Sequence, residues 1–313
     1  MRTRPLKNVA ASVRDRLLAR SRETGEDFQF LLWRYVVERF LFRLSHSPYR
    51  DHFVLKGAML FAVWNESLHR QTRDIDFAAY GDTETDDLVT ALQQVCRTGV
   101  DDDGVIFHAD QISSSTIRGT TDQGGTRYRF PATVGRARIT VQVDIGVGDS
   151  IQPPPADAEF PTLLGTAKHR VRAYPKEAVV SEKFHATVVH GAQTSRYKDF
   201  FDLYELARCF RFDGVRLVQA LVATFQNRSS PTDDVPLSLT RGFYTDLARG
   251  DRWRAYLTKR GRLSAPMDFG AIGELVILFL APPWRALAHG DRFVATWPGG
   301  GPWRSKIQAR TGS

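Results

Sequence analysis

The chain has 313 residues, 43 Lys+Arg against 35 Asp+Glu, and a formal net charge of +8. Hydrophobic residues make up 42% and charged residues 25%, which excludes a wholly disordered chain, a fibrous repeat and a polytopic membrane protein. Two cysteines, Cys96 and Cys209, are too few for a disulfide framework or a Cys-rich zinc site and point to a reducing compartment. The opening MRTRPLKNVA lacks the apolar core of a secretory signal. The apolar stretch 275–284 holds two prolines and is too short to span a bilayer, so a cytoplasmic protein with no membrane partner is expected. The basic balance permits nucleic acid or nucleotide phosphates as partners.

Residues 9–45 read as two helices. Asp27 is placed to cap the second, in which Phe28, Leu31, Leu32, Tyr35, Val36, Phe40 and Leu44 recur at helical spacing. A short strand at 52–55 leads into Lys56-Gly57 and an apolar helix at 58–64. Residues 74–79 read as a strand, and 85–96 as a helix with Asp86 and Asp87 in its first turn, where the helix dipole favours them. Residues 104–148 look β-rich, with Gly124-Gly125 as a turn signal. The clearest strand is 138–147, in which Ile139, Val141, Val143 and Ile145 alternate with Thr140, Gln142 and Asp144. Gln152-Pro153-Pro154-Pro155 breaks regular structure. Beyond it the chain reads as mainly helical, with a helix at 175–190 closed by Gly191 and another capped by Ser195 and running through Phe210. The Gly-, Pro- and Arg-rich tail from Trp297 is expected to be loose.

Four constellations carry chemistry. Asp74 and Asp76 are two apart on a strand and so share a face; adjacent carboxylates repel unless a cation sits between them, and a hard divalent ion answers that need. Asp144, on the polar face of the 138–147 strand, becomes a third carboxylate if the two strands are neighbours in one sheet. Three carboxylates around one or two metal ions suit phosphoryl or nucleotidyl transfer. Lys56-Gly57-Ala58 joins a strand to a helix, where glycine allows close backbone approach and the helix start offers free N–H groups to a phosphate. In the fourth, Lys183 interrupts an apolar helical stripe, and Asp199 and Asp202 share a face of the following helix. Lys183 either snorkels or reaches a triphosphate, and Asp199 either pairs with it or serves as a base. Each constellation also has a bland reading as a solvated strand edge, an unliganded turn or an inter-helix ion pair.

In order and spacing these segments resemble the AbiEii/AbiGii toxin family of nucleotidyltransferases (type IV toxin–antitoxin, MenT-like). The text that carries the resemblance runs from Arg34-Tyr35, Glu38-Arg39-Phe40-Leu41 and Arg43-Leu44-Ser45 through Phe53-Val54-Leu55-Lys56-Gly57-Ala58 to Arg70-x-Thr72-x-Asp74-Ile75-Asp76. It continues with Gln142-Val143-Asp144-Ile145-Gly146, Tyr174-Pro175, Glu182-Lys183-Phe184-His185-Ala186 and Ser195-Arg196-x-Lys198-Asp199-Phe200-x-Asp202-Leu203. It covers roughly residues 10–210, and more weakly to about 290. One departure is Ala58, where many members carry a second glycine.

The resemblance implies an α+β fold: a polymerase-β-like nucleotidyltransferase core with a mostly helical C-terminal lobe, divided as 1–165 and 166–313. It implies Asp74, Asp76, Lys183 and Asp199 as catalytic residues. Lys56, Gly57, Arg70, Thr72, Asp144 and Arg196 would bind nucleotide, and Asp74, Asp76 and Asp144 would hold Mg²⁺ or Mn²⁺, with an NTP as substrate. It further implies a toxin that moves NMP onto RNA, with the 3′ end of tRNA as first candidate, and a cognate AbiEi-like antitoxin. Arg252, Arg254, Lys259, Arg260 and Arg262 form a basic cluster that either grips RNA phosphates, with Trp253 and Tyr256 stacking on bases, or is a solvated helix face with a buried Trp. Two alternatives stay open: nucleotidylation of a protein or small-molecule hydroxyl, and a catalytically silent nucleotide- or RNA-binding module.

Overall fold

The computed structural model describes residues 8–65, 70–80, 85–117, 124–260 and 265–306. Contacts divide the chain into two units, 1–148 with 156–173, and 149–155 with 174–313. The chain leaves the first unit through the proline run and then returns to it. The division after Ala173 differs from the expected one after residue 165 because the strand at 169–173 pairs into the first unit's sheet.

The first unit opens with α1 (Val9–Thr24) and α2 (Phe28–Ser45). Asp27 caps α2 as expected, its carboxylate accepting the Phe30 N–H at 2.8 Å, an interaction worth about 1 kcal/mol. Leu31, Leu32, Val36, Phe40 and Leu44 of α2 are buried. Three charged residues of α2 are buried beside them, and two of these act as struts. Arg43 holds Asp103 bidentately at 2.7 and 3.1 Å. Glu38 accepts from the Leu163 N–H at 2.7 Å and the Thr166 hydroxyl at 2.9 Å. Much of the early sequence that carries the resemblance is therefore scaffold.

Next come β1 (Phe53–Lys56), a 3₁₀ turn at Gly57–Met59, α3 (Leu60–Asn65), β2 (Ile75–Ala79) and α4 (Thr85–Arg97). They are followed by β3 (Val105–Phe107), β4 (Ser113–Ile117), β5 (Gly125–Val134), β6 (Ala137–Val147), β7 (Ala156–Phe160) and β8 (His169–Ala173). These strands form one eight-stranded mixed sheet in the order β3-β5-β6-β2-β1-β8-β7, with β4 also paired to β5. β2 runs parallel to β6, and β1 antiparallel to β2. The alternation predicted for 138–147 is observed: Ile139, Val141, Val143 and Ile145 are buried, as are Tyr128, Phe130, Ala132 and Val134 of β5. Phe40 of α2 packs on Phe130 and Phe107 at ring separations of 5.5 and 5.9 Å, so the apolar face of the sheet is the one the helices cover.

The second unit contains α5 (Lys176–His190), α6 (Tyr197–Cys209), β9 (Phe212–Asp213), α7 (Gly214–Asn227), α8 (Arg241–Thr245), α9 (Leu247–Arg260), α10 (Phe269–His289), β10 (Ala295–Trp297) and β11 (Arg304–Ser305). Gly191 closes α5 with φ +46°, as expected. Ser195 does not cap α6. The cap position is Arg196, whose N–H is taken by the Thr194 hydroxyl at 3.3 Å. The apolar stretch at 275–284 is part of a longer helix, α10, which contains both prolines and is long and apolar enough by composition to cross a membrane. Here its Phe269, Ile272, Val276, Phe279, Leu280 and Trp284 are buried, and it contacts α6, α7 and α8.

The expected loose tail is ordered through Lys306. Trp297 is fully buried and donates its indole N–H to the Ala207 carbonyl at 2.6 Å, and Trp303 donates to the Phe279 carbonyl at 2.9 Å. Gly301 (φ +77°) passes so close to the Trp297 ring that a Cβ there would lie 2.5 Å from it. The tail is thus a clasp in which glycine admits the tryptophans. Residues 307–313 lie outside the described part.

Candidate active site

In the first unit, β2 and β6 lie side by side with Asp76 registered directly against Asp144. The conditional expectation that these strands are neighbours is met. One carboxylate oxygen from each of Asp74, Asp76 and Asp144 lies within 4.8 Å of the others. All three residues are half-buried, while Ile75, Phe77, Val143 and Ile145 point the other way into the core. The period of two that buries the apolar residues is what gathers the carboxylates.

On the other side of β2, Lys56 at the end of β1 is registered against Asp76, and residues directly opposite in a ladder share a face. Gly57 follows with φ +73°. A Cβ built there would stand 2.1 Å from Asp76 Oδ2 and 2.8 Å from its Cγ. The glycine is required twice, by its left-handed backbone and by the carboxylate packed against its Cα. Thr72 is buried, and its hydroxyl donates to Asp74 Oδ1. Arg70 is also buried, in the segment leading into β2.

One residue of this site was missed from sequence. Arg127 of β5 is registered against Asp144 and grips it bidentately, Nε to Oδ1 at 2.8 Å and a terminal N–H to Oδ2 at 2.6 Å. Hydrogen bonding to Asp144 raises the Arg127 pKa; partial burial opposes this, and the fields of Asp144, Asp74 and Asp76 add to it. A readable signal existed. The tight turn at Gly135-Arg136 joins β5 to β6, with Val134 paired to Ala137, and that register alone brings Arg127 opposite Asp144.

In the second unit, α5 and α6 bring Lys183 and Asp199 together, one of the two arrangements expected, and add Asp202 and Arg196. Lys183 Nζ lies 3.1 Å from Asp199 Oδ1 and 2.6 Å from Asp202 Oδ2. Arg196 Nε is 2.5 Å from the other Asp199 oxygen. Asp199 and Asp202 are almost fully buried. Burial pushes the Asp199 carboxyl up, but Lys183 and Arg196 outweigh it and hold its pKa below the usual value. Sequence proposed one partner for Lys183; the fold supplies two, so the amine is held in place.

Of the two readings of the basic stretch of α9, the structure favours the helix face with a buried tryptophan. Trp253 is fully buried, with its indole N–H donated to the Pro266 carbonyl at 2.8 Å. Tyr256 packs on Tyr197 and Trp253. Trp253 is core and cannot stack on a base, and Arg254 is paired with Asp251 at 2.5 Å. Arg262 lies outside the described residues.

The donor set fits a hard divalent cation: three carboxylate oxygens and no sulfur or imidazole, clustered closely enough to share one ion. A family model for the "Nucleotidyl transferase AbiEii toxin, Type IV TA system" matches residues 39–285. No curated protein matches the chain. Among solved structures, one described as a candidate nucleotidyltransferase from H. pylori is 16% identical at a TM-score of 0.47, covering 86% of this chain and 100% of that one. JHP933 from Helicobacter pylori is 16% identical at 0.46, covering 84% and 95%.

Proposed function

We propose that this chain, which belongs to the AbiEii family of nucleotidyl transferase toxins, is a divalent-metal-dependent enzyme that transfers NMP from an NTP to the 3′-hydroxyl of an RNA, with tRNA as the first candidate. The observation that carries this reading is the convergence of Asp76 and Asp144 from two parallel strands with Asp74, the residue just before β2, and with Gly57 pressed against Asp76. A Mg²⁺ or Mn²⁺ held by these carboxylates would supply charge neutralisation for the triphosphate. Lys56, and the N–H groups of the turn that begins at Gly57, are assigned to the phosphates, with Arg70 and Thr72 supporting that edge. In the second unit Lys183, oriented by Asp199, Asp202 and Arg196, is a fixed cation.

In the reaction the 3′-oxygen bonds to the α-phosphorus, the bond to the pyrophosphate oxygen breaks, and the hydroxyl proton passes to a carboxylate. We assign Asp144 to the acceptor side, because Arg127 fixes the direction of both its oxygens. The family setting supports an AbiEi-like antitoxin as partner and action in the cytoplasm.

The test is incubation of the protein with each labelled NTP, total RNA and Mg²⁺ or Mn²⁺. Label is expected on RNA with the wild type and to be lost in Asp76→Ala, whose melting temperature should be unchanged or raised because one of three repelling charges is gone. No transfer with any NTP refutes the proposal, and label on protein in place of RNA refutes its choice of acceptor.

A further inference from the structure

The carboxylate triad stands at one end of a face that continues along the β5–β6 hairpin. Residues 138, 140, 142 and 144 of β6 share one side of the sheet by alternation. Their ladder partners on β5 are Thr133, Pro131, Arg129 and Arg127. The opposite side of both strands is buried core. On the open side Arg129, Arg138 and Thr140 are exposed, as are Ser113 and Ser115 of β4.

The charge pattern of this face is one-sided. Asp144 is its sole acidic residue on the three strands, and Arg127 already neutralises it. Arg129 and Arg138 are instead oriented by neutral amides: Arg129 Nε donates to Gln142 Oε1 at 3.1 Å, and Arg138 donates to Gln111 Oε1 at 3.0 Å. Several arginines elsewhere spend their charge on a carboxylate, as Arg97 does on Asp110, Arg208 on Glu205 and Arg254 on Asp251. An amide acceptor fixes the guanidinium without cancelling its field. Two positioned cations with no carboxylate partner among the described residues therefore lead away from the third carboxylate. At roughly 6.6 Å per pair of residues, Asp144 to Arg138 spans on the order of 20 Å, the reach of several backbone phosphates.

We propose that this open face of β5 and β6 is the acceptor track: the single-stranded 3′ end of a polynucleotide lies along it, phosphates against Arg129 and Arg138, with its terminal hydroxyl at Asp144. The inference rests on the reading of the triad as a nucleotidyl-transfer site. It places the acceptor on the first unit's sheet, in contrast to the basic stretch of α9.

The experiment measures binding of a short unstructured RNA with a free 3′-hydroxyl by fluorescence anisotropy, in EDTA, across a salt series. Each phosphate contact on a single strand contributes about 0.7 to the slope of log K against log salt. Arg129→Gln/Arg138→Gln is expected to lower the slope by about 1.4 and to weaken binding roughly tenfold at low salt. Arg129→Lys/Arg138→Lys, which keeps the charge, is expected to retain the slope. That contrast separates a lost phosphate contact from a misfolded sheet. An unchanged slope in the Gln pair overturns the track, and so does a loss of slope in Arg252→Gln/Arg254→Gln without one in the Gln pair. If the slope is unchanged but label still reaches RNA, the track alone is wrong. If the wild type neither binds nor labels RNA, the track and the reading beneath it both fall.

Discussion

Replacing Gly57 by alanine adds a single methyl group at the point where the backbone meets the carboxylate site. Two costs follow from the structure. The φ of +73° is left-handed, which costs a Cβ-bearing residue about 1–2 kcal/mol. The new Cβ would stand 2.1 Å from Asp76 Oδ2, well inside the ~3.5 Å at which non-bonded heavy atoms attract. Asp76 must therefore retreat by about an ångström or more, out of the triad. A misplacement of that size costs roughly 100-fold in rate.

Gly57→Ala is thus expected to fold, to melt a few degrees lower, and to lose about two orders of magnitude in NMP transfer, with weaker Mn²⁺ binding by calorimetry. A double-mutant cycle isolates the contact. In an Asp76→Ala background, which removes Oδ2 and Cγ, Gly57→Ala should cost less: the left-handed backbone share plus a close approach of 3.0 Å to the Cβ that remains at position 76. Transfer within about threefold of wild type, or equal stability costs in both backgrounds, would show that the contact with Asp76 does not order the site.

Arg127→Ala removes the cation beside the triad, and Coulombic repulsion of an incoming divalent ion falls with it. Mn²⁺ binding should tighten by roughly tenfold while the protein in EDTA melts lower; unchanged affinity by calorimetry would count against Arg127 as part of the site. Asp202→Asn takes one of two buried partners from Lys183 and should cost about 2–3 kcal/mol by urea denaturation, below the ~3–5 kcal/mol for a buried pair losing its sole counter-charge. His169 is buried between Phe42 and Phe160, and burial, with the Arg39 and His46 charges, pushes its pKa down to about 3. Its neutral form is the folded one, so its contribution is complete above the unfolded value near 6.5 and is lost as the pH falls from there towards about 3. His169→Phe should therefore remove about 2 kcal/mol of the stability difference between pH 6.5 and pH 5; an unaltered pH profile of urea melts would refute the assignment.

What was legible was whatever depends on period. The alternation of Ile139 to Ile145 specifies both the strand and its buried face, and Asp74-Ile75-Asp76 on a strand puts two carboxylates together without knowledge of any neighbour. The parallel pairing of β2 with β6 joins segments some seventy residues apart, and no local signal specifies it; core packing under the sheet does. The C-terminal clasp was misread for a different reason. Gly299-Gly300-Gly301 has the composition of a loose tail, yet each glycine has φ between +75° and +80° where two tryptophans close on α6 and α10. Composition does not distinguish glycine that frees a chain from glycine that lets a ring in. Trp253 was open for a related reason: a tryptophan among arginines reads equally as a stacking platform or a buried ring, and its environment decides for the core.

The site also shows why three carboxylates can be tolerated at rest. Like charges within 4.8 Å disfavour folding unless cations are supplied. The sheet supplies one through the same ladder that gathers the acids, as Arg127 is opposite Asp144 and Asp144 is opposite Asp76. Lys56 is opposite Asp76 on the remaining flank. The row Arg127–Asp144–Asp76–Lys56 thus crosses four strands with its positive charges outside and its negative charges within. Either outer cation could be lost with the fold intact, because each needs only its strand register to be in place. The inner acids could not be moved singly, because Gly57 leaves Asp76 no room for another atom on that side. The ordering predicts graded effects: substitutions at the outer positions retune the affinity for the ion, and a methyl group at Gly57 displaces Asp76 from the arrangement that binds it.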